Sequence, residues 1–76
     1  MEEITLGKHS DSFEYLLSET DKKAQSMCST LNLSAGEKKE YAFWTDGIPE
    51  LIAIVKFEKK SDGKIVYKVD YSQSTL

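Results

Sequence analysis

Two side chains in this 76-residue sequence could do nucleophilic or metal chemistry, His9 and Cys28, and they stand nineteen positions apart. A structural zinc needs about four clustered cysteine, histidine or carboxylate ligands. The pair therefore predicts no metal site. A nucleophilic thiol would have to be activated by the imidazole, yet Cys28 lies beside Met27 in a run of helical apolar spacing, where a free cysteine packs as a small hydrophobe. His9 precedes that run, and its protonated form would meet the positive end of a helix dipole. It is expected to be an exposed loop residue.

Paired carboxylates for acid–base work need a pocket as well as proximity, and the acidic residues here fall on a helix surface or beside turns. The glycines at 7, 36, 47 and 63 match no phosphate-cradling motif, and each is assigned to a turn. The chain is read as non-catalytic, with no cofactor.

All ten basic residues are lysine, against thirteen acidic ones, for a net charge of -3. Without arginine there is no planar fork for bidentate recognition of phosphate or guanine edges, which makes nucleic acid a poor partner. Residues 1–35 hold three lysines and six carboxylates, and residues 36–76 hold seven of each. The excess negative charge thus lies in the first half. No stretch approaches the roughly 20 apolar residues that a membrane span requires. The acidic start and the single cysteine suit a cytoplasmic protein without a disulfide framework.

The elements that would carry these groups follow from periodicity. Phe13, Leu16, Leu17, Thr20, Ala24, Met27, Cys28 and Leu31 repeat at i, i+3, i+4 steps and predict an amphipathic helix over about 11–31. Ser10, Asp11 and Ser12 are candidate caps, Asp11 and Glu14 have capping-box spacing, and Asn32 suits a left-handed stop. Strands are predicted over about 39–45, 50–59 and 64–71, with Asp46-Gly47 and Ser61-Asp62-Gly63 as turns. Glu3 to Leu6 could add a short edge strand. The tail after Tyr71 is expected to be loose. Matching faces across the last hairpin sets Phe57 against Tyr67, Val55 against Val69 and Ala53 against Tyr71.

The expected fold is one α+β domain over residues 1–76, a single helix packed on a three-stranded antiparallel meander, with a possible extra N-terminal strand. One helix covers one side of a sheet, so Ile52, Ile54 and Val66 should lie on the other. Depending on the register of the first meander strand, Tyr41 and Phe43 or Trp44 should join them there. Such a patch would mark a docking surface for a protein partner or a second copy, unless the N-terminal segment or Leu76 folds over it. Glu14, Glu19 and Asp21 form an acidic helix face that could meet a basic partner. The leading expectation is a small protein-binding module of the inhibitor, immunity, antitoxin or adaptor kind. The alternative is single-stranded nucleic-acid binding by base stacking on Trp44, Tyr41 or Phe43.

Overall fold

The computed structural model describes residues 1–76 in the order β1 (Glu2–Lys8), α1 (Phe13–Thr30), β2 (Lys38–Asp46), β3 (Leu51–Lys59) and β4 (Ile65–Asp70). In α1, Leu16, Thr20, Ala24 and Met27 recur at helical spacing and are buried on one face. The Thr20 hydroxyl is fully buried and donates to the Leu16 carbonyl at 2.8 Å, so the one polar group in the stripe is satisfied. Phe13 has the phase of the stripe but is 49% exposed, because the packed part of the helix begins only at Leu16.

The cap is Ser12, whose Oγ accepts from the Tyr15 N–H at 3.2 Å. Asp11 forms no capping box with Glu14. Its carboxylate accepts the Lys8 N–H at 2.8 Å and closes the turn out of β1. At the other end the helix stops on Leu31, which is extended, and no residue other than glycine takes positive φ. Asn32 is therefore not a left-handed stop. The extended exit lets Leu31 pack against the core and buries Leu33, an apolar gain that a turn at Asn32 would forgo.

The sheet order is β1-β2-β3-β4. The N-terminal strand is present, and α1 carries the chain back to the starting end of the sheet so that β1 runs parallel to β2. The rest is the expected antiparallel meander. Phe57 opposes Tyr67 and Val55 opposes Val69, as face-matching requires, and the ladder closes at Ile54–Asp70 before Ala53 could pair with Tyr71. Between β3 and β4 the Lys60 N–H donates to the Lys64 carbonyl at 2.8 Å and closes a three-residue loop, Ser61-Asp62-Gly63, with Gly63 at φ +88°.

The pairing of β2 with β3 settles what periodicity left open. Tyr41 faces Val55 and Phe43 faces Ala53, but the next partner of Trp44 is Leu51, so Ile52 is the extra residue of a β-bulge. Tyr41 and Phe43 lie beneath the helix and Trp44 on the far side. Ile52, expected on the open face, is turned by the bulge into the main core, where it is fully buried with Phe43, Val55, Phe57 and Leu16. Edge-to-face packing of Tyr41 on Phe57, with centroids 5.6 Å apart, joins neighbouring strands in that core.

Candidate functional site

Strand alternation puts Lys38, Glu40, Ala42 and Trp44 of β2, Ile54, Lys56 and Glu58 of β3, and Val66, Lys68 and Asp70 of β4 on the open face. Its apolar part is smaller than the sequence suggests. Ala42, Leu51 and Ile54 are each more than nine-tenths buried and form a small cluster with half-buried Trp44. Only Val66, at 42%, is openly exposed among the three aliphatic residues expected there.

Trp44 packs on this cluster from within the sheet face, and the C-terminal tail is pinned beside it. The tail is not loose: the Leu51 N–H donates to Thr75 Oγ1 at 2.8 Å, and the Leu51 carbonyl accepts from the Thr75 N–H at 2.9 Å and Ser74 Oγ at 3.0 Å. Ile4 and Leu6 pack on the helix side instead. The remainder of the open face is charged, with ion pairs Lys56–Glu40 at 4.0 Å and Lys60–Glu58 at 3.2 Å. Tyr41 and Phe43 cannot stack on a base, since the helix covers them. The Trp44 indole N–H is buried and has no acceptor.

Three other exposed apolar side chains stand at one end of the molecule. Phe13 and Tyr15, 49% and 50% exposed, flank exposed Glu14 at the start of α1. The Tyr15 hydroxyl donates to Glu19 Oε1 at 3.2 Å, and Lys22 Nζ lies 3.5 Å from Glu19 Oε2. This hydrogen bond to a carboxylate raises the Tyr15 phenol above its ordinary value, with the Glu19 charge adding to the effect. Glu19 is therefore partly engaged within the helix, whereas Glu14 has no ion-pair partner.

The β2–β3 loop stands at the same end of the molecule, because the His9 N–H reaches the Asp46 carbonyl at 3.4 Å. It presents Ile48, 61% exposed. Thr45, only 2% exposed, holds the loop: its hydroxyl donates to the Ile48 carbonyl at 2.8 Å and accepts the Glu50 N–H at 3.0 Å. Thr45→Val should strand both partly buried groups and destabilise the fold by about 1–3 kcal/mol. Urea unfolding followed by fluorescence would measure this, and a loss below about 0.5 kcal/mol would mean that the hydroxyl does not hold the loop.

Sequence reading missed this end for identifiable reasons. Phe13 matches the core phase, Tyr15 falls between stripe positions, and Ile48 is a lone apolar residue in a turn. Loop signals around Ile48 were visible, but nothing local says that its side chain faces solvent.

Cys28 is a free thiol, partly buried against the core, and burial raises its pKa, which favours the unreactive thiol form. His9 is exposed. No three His, Cys, Asp or Glu side chains are grouped so as to hold a metal ion. No protein-family model, curated protein or solved structure matches this chain. No helix is long and apolar enough to cross a membrane.

Proposed function

We propose that this chain is a small non-catalytic protein-binding module, of the inhibitor, immunity, antitoxin or adaptor kind, which docks on a basic partner through the start of α1 and the β2–β3 loop. The observation that supports this reading is that Phe13, Tyr15 and Ile48, each about half exposed or more, stand with exposed Glu14 and Asp46 at one end of the fold. Exposed aromatic residues act as anchors in interfaces. Carboxylates beside them steer a positively charged partner and suppress others. The single free thiol fits a cytoplasmic setting.

The test is affinity capture from the source cell, followed by a titration of the partner so found. Phe13→Ala with Ile48→Ala leaves the buried core intact and should weaken binding at least about tenfold. Binding of the unaltered chain should also weaken as salt is raised. Capture of no partner, or equal affinity for the chain and its double variant, would remove this reading.

A further inference from the structure

We propose that two copies of this chain associate edge to edge through β4, in a two-fold register centred on Tyr67, to make one continuous eight-stranded sheet. This uses a different surface from the acidic helix end and does not depend on it.

The sheet has two free edges, β1 and β4. The β1 edge is blunted: its register slips between Thr5 and Lys8, Gly7 has φ +66°, and the strand carries Glu2, Glu3 and Lys8. The six residues of β4 pair with β3 without interruption. The tail beyond β4 turns toward β3, where Ser74 and Thr75 bond to Leu51, and so leaves the outer side of β4 free.

Backbone polarity of that edge follows from two bonds. The Lys59 N–H donates to the Glu37 carbonyl on the β2 side, and the Lys60 N–H donates to Lys64 on the β4 side. Alternation along an antiparallel ladder then directs the N–H and C=O groups of Val66, Lys68 and Asp70 toward β3, and those of Ile65, Tyr67 and Val69 outward. The side chains of these same three residues are half-buried at the rim of the helix-side core. A strand added there would close both the open backbone groups and the open rim.

A second copy has little choice of register. Opposed residues must share a face, or the apolar row of one copy would meet the charged row of the other. Two same-face registers use nearly the whole strand. One is centred on Lys68 and sets two ammonium groups against each other, which is unfavourable. The other, centred on Tyr67, opposes Ile65 to Val69 and Val66 to Lys68, and brings Lys64 opposite Asp70 on both sides of the axis. All three outward-facing residues then exchange backbone hydrogen bonds with their mates. The contact is self-complementary and closed, and the blunted β1 edges keep it from growing beyond two copies.

Sedimentation velocity on the full chain over a range of concentrations should reveal a species of about twice 8.6 kDa. Amide exchange at Ile65, Tyr67 and Val69 should slow as concentration rises, while that at Val66 and Lys68 should not change with it. Val69→Pro removes an outward N–H and leaves the β3 ladder intact, so it should raise the dimer dissociation constant by about a hundredfold. Charge reversal gives a second arm that does not rely on proline being tolerated. Lys64→Asp or Asp70→Lys alone should weaken the dimer by about tenfold, and the two together should restore it to within about threefold. A chain that stays monomeric up to about 1 mM would overturn the proposal, as would a dimer indifferent to these variants or a double reversal that restores nothing.

Discussion

Phe57→Ala should cost about 3–5 kcal/mol, against a total stability of about 4–11 kcal/mol for a chain of this length. Phe57 has no solvent exposure, and its ring meets Tyr41 edge-on at 5.6 Å and Tyr67 at 6.2 Å. It thus joins three strands beneath the helix. Truncation would leave a cavity that these rings could fill only by leaving their own positions. In urea unfolding the midpoint should fall sharply with an unchanged slope, and a measurable fraction should be unfolded before denaturant is added. Phe13→Ala is the natural control, since half of that ring is already in water, and it should change stability by no more than about 0.5 kcal/mol. If the two variants lost similar stability, the packing phase of the core would be wrong.

The second large effect is expected at Gly7. The sequence assigns this glycine to a turn, but it lies within β1, at the point where the register against β2 slips. Its φ is +66°, and a Cβ added there would stand 2.7 Å from Leu16 Cδ2 and 2.9 Å from Asp11 Oδ2. Leu16 is fully buried and Asp11 is engaged with the Lys8 N–H, so neither can withdraw freely. Gly7→Ala therefore combines the left-handed backbone penalty of about 1–2 kcal/mol with an overpacking cost of about 1–3 kcal/mol. Gly63→Ala separates the two. Gly63 has φ +88° but nothing within 4 Å of its would-be Cβ, so only the backbone penalty applies. Thermal unfolding should place Gly7→Ala at least about 1 kcal/mol below Gly63→Ala. Equal losses would show that the close approach to Leu16 is absent.

The two variants also show where reading the sequence works and where it stops. That Phe57 is core follows from alternation along its strand, because Leu51 to Glu58 repeats apolar residues at every second position. That Gly7 is crowded does not follow, since its constraint comes from Leu16 and Asp11, nine and four residues away, brought together only when the helix folds back. The candidate site divides in the same manner. Glu14 was legible as an exposed acidic residue from helical phase. Trp44 was one of two alternatives for the open face, and only strand pairing selected it over Tyr41 and Phe43.

By itself, the sequence determined the helix, the three meander strands, the register of the last hairpin and the α+β class. All of these follow from local periodicity and from turn residues that act over a few positions. Tertiary structure alone decided the parallel placement of β1, the bulge that turns Ile52 inward, the pinning of the tail to Leu51 and how little apolar surface the open face exposes. Each depends on which backbone groups of distant segments find one another, and a single extra residue in one strand reverses the side to which its neighbours point. For that reason the sheet face keeps one openly exposed large apolar side chain, Val66, while Phe13, Tyr15 and Ile48 are exposed at the start of α1 and on the β2–β3 loop.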